Sequence, residues 1–404
     1  MSAIAKTGGI QIRSPVIRFQ MDRTVKAPMH LGYLDGLRAF AALYVFWYHA
    51  LLIVSLNRDS LPWWIRAPTA ILVYGHDAVN LFIVLSGFCL MLPVLSGDGT
   101  LRQGVAAFFK RRAWRILPPY YGAILLSAIL IRGVLNTKLG CVTDRFFVLT
   151  AKGVFTHILM LQDAFGEDHT IDFPLWSVAV EWRIYFLFPL LLWGWRRFGA
   201  LRTTLVTIAV SQCMYLLLRF CIHAPLSAHY LGLFAMGMLA ATIAFSTDPR
   251  IARMRNGPWN ILLICLTIAV YFLSTVNIYN GKPMPEYITD DFVGLASMAL
   301  LVAISINNRH PLHRFLSRKP FVFVGTFAYS IYLIHGPMLQ IFWQCTVSLR
   351  PRPLWQLFVL LVMGTPLVIL SSYLFFLVCE RPFLRKKIAI PRSLIAKTVV
   401  EPAP

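Results

Sequence analysis

Apolar stretches of about 17 to 25 residues recur along this chain almost from end to end, and they leave little room for any fold but a membrane bundle. Eleven such stretches can be marked, the first near 34–55 and the last near 356–379. The chain is 58% hydrophobic and only 14% charged, with a mean hydropathy of +0.66. Each stretch reads as a helix. The fold class is therefore all-α, a polytopic transmembrane helical bundle.

The charges set its orientation. A net charge of +21 would suit nucleic-acid binding if the basic residues were clustered on one soluble surface. They are dispersed instead, mostly over the first thirty residues, 97–119, 194–203, 247–258, 307–320 and the C-terminal tail. Acidic residues collect in other loops, among them Asp163 to Asp172 and Glu286 to Asp291. Alternation of basic and acidic loops is the positive-inside pattern, which places the basic segments in the cytoplasm and excludes a nucleic-acid partner. With both termini inside, the number of crossings must be even. Ten crossings are expected, and one segment between 118 and 162 is interfacial or re-entrant. Segment 146–162, which carries Lys152 and His157, is the weakest span.

The chain divides into a basic cytoplasmic tail (1–30), a membrane domain (31–387) and a cytoplasmic C-terminal tail (388–404). No signal peptide is expected, since the first thirty residues have no apolar core. Seven cysteines include no CxxC pair and no metal-ligand spacing, so neither a disulfide framework nor a metal site is predicted. No internal repeat is apparent.

Against this background, ionisable residues inside apolar stretches stand out, because they cost several kcal/mol at membrane depth unless a polar cavity receives them. Arg38 and His49 share the first stretch. Eleven residues are about three helical turns, so the two lie on one face, roughly 16 Å apart along the axis. Asp35, one turn before Arg38, falls near the same face.

Four further segments carry polar groups at helical spacing. In Asn80 to Leu90, Ser86-Gly87 is a small-residue step that admits a neighbouring helix or a ligand. Lys110 to Tyr120 places Arg111, Arg112 and Arg115 within one turn of each other; Pro118-Pro119 is expected to break the helix there, leaving the arginines at the cytoplasmic mouth. Arginine forks suit phosphates, although ordinary positive-inside anchoring has the same appearance. Ser177, Glu181 and Tyr185 follow Trp176 at i, i+4, i+8, which makes Glu181 a carboxylate that binds a hydroxyl, orients a histidine or pairs with Arg183 or Arg38. Tyr332 and His335 again sit one turn apart, as a satisfied structural pair or as part of a site.

In this order the motifs are more specific than any one alone. Arg38 with His49, Leu85-Ser-Gly-Phe88, Arg112-Ala-Trp-Arg115, Trp176-Ser177 with Glu181, and Tyr329 to His335 together resemble the acyltransferase-3 family over about residues 33–387. That family comprises integral membrane proteins that O-acylate sugars, glycans, lipids or macrolides. The resemblance implies acyl-CoA, with acetyl-CoA the default, as co-substrate and no bound cofactor. It also implies a carbohydrate or glycolipid acceptor, membrane lipid as surroundings, and a bacterial inner membrane. Arg112 and Arg115 correspond to the family's cytoplasmic arginine motif, and His49 to its catalytic histidine. Some relatives carry a C-terminal hydrolase-like domain, which this sequence is expected to do without.

The mechanism so implied docks a thioester on Arg111, Arg112 and Arg115 and threads the acyl arm past Ser86 towards His49. His49 acts as general base or as transient acyl carrier. Arg38 holds the phosphate–pantetheine region or stabilises negative charge, and Glu181 orients the acceptor or the imidazole. Asp35, Trp176, Ser177, Tyr185, Tyr332 and His335 are candidates for acceptor binding or support. The competing reading is a proton-coupled transporter built on Arg38, His49 and Glu181.

Overall fold

The computed structural model of the protein describes residues 31–55, 61–97, 99–135, 142–279, 286–347 and 352–384. The tails 1–30 and 388–404 lie outside the described residues. Every regular element is helical, with no strand among the described residues. The chain runs through α1 (Gly32–Val54), α2 (Trp63–Leu72), α3 (Asp77–Leu95), α4 (Gly104–Gly133), the short α5 (Ala151–Ile158), α6 (Leu175–Phe198) and α7 (Ala200–Leu216). It continues through α8 (Tyr230–Phe245), α9 (Pro249–Ala252), α10 (Trp259–Tyr279), α11 (Glu286–Ile306), α12 (Pro311–Leu316) and α13 (Lys319–Gly325). The last three are α14 (Ala328–Val347), α15 (Pro353–Val362) and α16 (Gly364–Phe375).

The protein is an integral membrane bundle. Seven helical runs among the described residues are long and apolar enough to cross a membrane, or nine if two bent pairs each make one span. Those pairs are α8 with the turn of helix after it, bent by 94°, and α13 with α14, bent by 72°. Ten crossings were expected; beside these runs the described residues hold two shorter apolar helical segments, Trp259–Leu273 within α10 and Pro353–Val362, which is α15. Segment 146–162 forms only the eight-residue α5, too short to cross. Thr150 caps it by accepting from the Gly153 N–H at 2.8 Å.

One local expectation fails outright. Pro118 and Pro119 do not break the helix: α4 passes through them as one 30-residue element. Proline removes an intrahelical hydrogen bond, but membrane helices tolerate it where neighbours satisfy the freed backbone. The carbonyls that lose an i→i−4 donor here are those of Trp114 and Arg115; in the following position the Tyr329 hydroxyl of α14 donates to the Ile116 carbonyl at 3.2 Å, which ties this turn to its neighbour.

Packing explains the placement of the site. α1 is enclosed by α3, α13, α14 and the turn at 73–76. α3 and α8 cross closely at Gly87 and Gly237, where an added methyl would overlap the Phe234 carbonyl on one side and the Val84 carbonyl on the other. Small residues let two backbones meet in this way, so Gly87 serves packing while Ser86 beside it is turned elsewhere. The run Ala200–Ile222 is only 11% buried and presents Leu205, Val206 and Val210 outward, as a lipid-facing helix does.

Candidate active site

A cavity of about 450 Å³ opens between α1, α3, α4, α6 and α14. Most of the polar residues singled out from the sequence line it: Asp35 and Arg38 from α1, Ser86 from α3, Arg112 and Arg115 from α4, Ser177, Glu181 and Tyr185 from α6, and Tyr332 from α14. Five apolar helices can each carry one or two polar groups only if these face a common polar space.

Within the cavity the hydrogen bonds are directional. Arg38 donates through Nη1 to Asp35 Oδ1 at 2.6 Å and through Nη2 to Cys89 Sγ at 2.9 Å. Tyr185 donates its single hydroxyl proton to Glu181 Oε1 at 2.5 Å, so Ser86, 2.8 Å away, must donate to the Tyr185 oxygen. Glu181 does not pair with Arg183, which instead forms a two-pronged ion pair with Asp163. Arg112 lies 5.9 Å over the Tyr185 ring and 6.0 Å over that of Phe108. Its Nε is buried and has no hydrogen-bond partner among the described residues. A guanidinium with an unused donor facing a cavity is suited to an anion.

Arg111 does not join this group. Its guanidinium donates to the Arg102 carbonyl at 2.9 Å and to Gln103 Oε1 at 3.2 Å, tying the start of α4 to the preceding loop.

His49 lies farther along α1, beyond the lining of the cavity. Its Nδ1 is 3.0 Å from Nε2 of the fully buried His335 on α14. His335 Nδ1 in turn lies 2.8 Å from the Tyr332 carbonyl, which can only accept. His335 must therefore carry its proton on Nδ1. With both rings neutral, its Nε2 accepts, His49 donates from Nδ1, and His49 Nε2 keeps the free lone pair. Phe173 stands edge-on to His49 at 4.7 Å and fixes the ring plane. Tyr332 belongs to both places: it lines the cavity, where its hydroxyl is 2.6 Å from that of Ser177, and its carbonyl accepts from His335.

Two groups in and around the site were not anticipated. Cys89 accepts from Arg38 and lines the cavity. Asp172, fully buried, has Oδ1 against Gly336 and accepts from Ser127 on Oδ2 at 3.3 Å. Burial pushes its carboxyl well above the usual 3.8, a shift the Ser127 hydrogen bond only partly offsets. In the sequence Asp172 is one of several acids in an outer loop, with nothing to separate it from its neighbours. Among the described residues no group of His, Cys, Asp and Glu is arranged to hold a metal ion.

Comparison with known proteins identifies the family. Residues 31–377 match the acyltransferase-3 family model, described as an acyltransferase domain. The chain is 26% identical over 342 residues to a Bacillus subtilis protein named as peptidoglycan O-acetyltransferase YrhL, covering 76% of this chain and 48% of that one. It is 25% identical over 330 residues to the O-acetyltransferase OatA of Staphylococcus aureus, covering 78% and 51%. The peptidoglycan O-acetyltransferase OatA of Listeria monocytogenes is 24% identical over 351 residues, covering 80% and 51%. The chain thus spans about half the length of the curated relatives it matches. No solved structure matches it.

Proposed function

The chain belongs to the acyltransferase-3 family, and we propose that it transfers an acetyl group from acetyl-CoA to a hydroxyl of a cell-envelope carbohydrate. The observation that carries this reading is the fixed imidazole pair, His49 on His335, beside a cavity faced by three arginines. The O-acetyltransferase names of the relatives support both the acyl group and the class of acceptor. They also leave the transporter reading without support.

In this mechanism the anionic end of the donor rests on Arg112 and Arg115, with Arg38 beyond them. About three helical turns, roughly 16 Å, separate Arg38 from His49, so Arg38 acts on the donor's arm or phosphates and not on the reacting carbonyl. The acyl arm passes Ser86 and Tyr185, whose chain of hydroxyls ends on Glu181. At the far end, His49 Nε2 takes the proton of the acceptor hydroxyl as its oxygen attacks the thioester carbonyl. The tetrahedral intermediate collapses, the C–S bond breaks, and the His49 imidazolium returns the proton to the departing thiolate. General-base help of this kind is worth about 10²–10⁴ in rate. His335 holds the His49 tautomer, and its own proton stays on Nδ1, donated to the Tyr332 carbonyl, throughout.

The test uses purified protein in nanodiscs with radiolabelled acetyl-CoA and extracted envelope glycans. Free CoA and labelled glycan should appear together in the wild type, and both should form roughly 10²–10⁴ times more slowly in His49→Ala. Labelled glycan at the wild-type rate in that variant would refute the assignment.

A further inference from the structure

A second polar cluster lies where the first turns of α3, α6, α8 and α11 meet. His76, immediately before α3, has Nε2 3.2 Å from Glu286, 4.0 Å from Asp290 and 3.3 Å from the Tyr230 hydroxyl. Its ring stacks on Trp176 at 6.0 Å and 12°, and Trp176 lies 5.9 Å from the Tyr230 ring. Asp290 is held from below, by Asn80 Nδ2 at 2.7 Å and His229 Nε2 at 2.9 Å.

Within the cluster Glu286 is the carboxylate left short of donors. Asp290 is already served by Asn80 and His229, and His76 Nε2 either gives its one proton to a carboxylate or accepts one from the Tyr230 hydroxyl. Asn80 Oδ1 and Asp291 Oδ1 are buried with no hydrogen-bond partner among the described residues. A carboxylate in the first turn of a helix offsets the helix dipole, which explains the charge of Glu286. It explains neither the unmatched oxygens nor the aromatic group beside them.

This cluster flanks the imidazole pair on the side away from the arginines. Gly75 packs so tightly on Tyr48 that a methyl there would overlap its side chain, and the Tyr48 ring is 5.0 Å from that of His49. Trp176 directly precedes Ser177, the residue that reaches Tyr332.

We propose that the His76, Trp176, Tyr230 and Glu286 cluster is the acceptor subsite, and that it takes a neutral pyranoside. The sugar's hydroxyls supply the donors that Glu286 lacks, and its apolar face meets the half-buried Trp176, which Tyr230 backs from within the protein. The carboxylates repel an anionic sugar. The inference rests on the acyl-transfer reading and adds to it where, and in what charge state, the acceptor binds.

The test is binding of a β-1,4-linked N-acetylglucosamine tetrasaccharide to the full chain in nanodiscs, read by saturation-transfer NMR, with a tetragalacturonate as the anionic comparison. The wild type should bind the neutral sugar and exclude the anionic one. Trp176→Ala and Glu286→Gln should each weaken binding by about tenfold, the size of one lost aromatic contact or hydrogen bond. Trp193→Ala, on an outward face of α6, should leave it unchanged. Glu286, whose side chain is 71% exposed, keeps the test valid if the Trp176 variant does not fold. The subsite is overturned if the wild type does not bind the neutral sugar, if the anionic sugar binds equally well, or if Glu286→Gln binds like the wild type. Binding that needs Glu286 in a protein that transfers no acetyl would keep the subsite and remove the acyl-transfer reading. Transfer with an unaltered acceptor KM in Glu286→Gln would do the reverse.

Discussion

At one end of the site, Arg38, Arg112 and Arg115 face a cavity in which the carboxylates Asp35 and Glu181 each already accept a hydrogen bond from Arg38 or Tyr185. At the other, Glu286 and Asp290 crowd one imidazole, and buried oxygens on Asn80 and Asp291 have no donor among the described residues. The first end is short of acceptors and the second short of donors. Such an arrangement suits two ligands of different charge arriving from opposite sides, with the His49–His335 pair between them. A site that bound both at one end would gain nothing from the contrast.

The comparison breaks most completely at the boundary itself. His49→Ala should lower kcat by roughly 10²–10⁴ while the donor still binds, since no arginine contact is touched. Equilibrium binding of labelled acetyl-CoA beside turnover separates the two. Loss of donor binding in this variant would place His49 at the arginine end and collapse the distinction.

His335 comes next. His335→Ala leaves His49 Nδ1 with nothing to donate to, so the free lone pair is no longer confined to Nε2. A drop in kcat of about 10–100-fold is expected, as when an orienting partner of a functional histidine is removed. In His335→Gln a side-chain oxygen can take the same hydrogen bond and should recover part of the rate. Equal losses in both variants would reduce His335 to a packing residue.

The two ends are then separated by paired kinetics. Arg112→Gln should raise the donor KM by about 10–100-fold, the cost of one charge-assisted contact, without moving the acceptor KM. Glu286→Gln should do the opposite. If both substitutions move the same constant, the site does not have two ends.

How much of this was legible in the sequence follows from what each feature depends on. The helices were, because hydropathy over 20 residues reports the solvent directly. So was the grouping of Arg38, Ser86, Arg112, Arg115, Ser177, Glu181, Tyr185 and Tyr332, since helical spacing aims each set at one face and an apolar bundle leaves few places for polar faces to go. Arg111 shared the spacing but not the direction. The bond between His49 and His335 spans 286 positions, and no local pattern specifies it. The His76 cluster was hidden for the same reason. Its members open four different helices, and their acids looked like outer-loop charge. Pro118-Pro119 misled because a local rule ignores the neighbouring helix that stabilises the turn.

The smallest expected effect concerns Asp172, which belongs to neither end. It lies behind the imidazole pair, against Gly336 and next to Phe173. Its carboxyl is raised well above 3.8 by burial, so the folded chain binds that proton more tightly than the unfolded one. The stability this contributes is complete below about pH 4 and is lost progressively as pH rises towards the folded value. Asp172→Asn is neutral throughout and should escape the loss. Its apparent Tm in nanodiscs, measured against the wild type, should therefore gain steadily from about pH 4 upward. Neither donor nor acceptor KM should change. A difference in Tm that does not vary with pH would mean that Asp172 is already ionised in the folded protein and paired with a cation. The imidazole pair is the nearest source of one, and a charged pair has no free lone pair on His49. That result would move the general base elsewhere, and with it the boundary between the two ends.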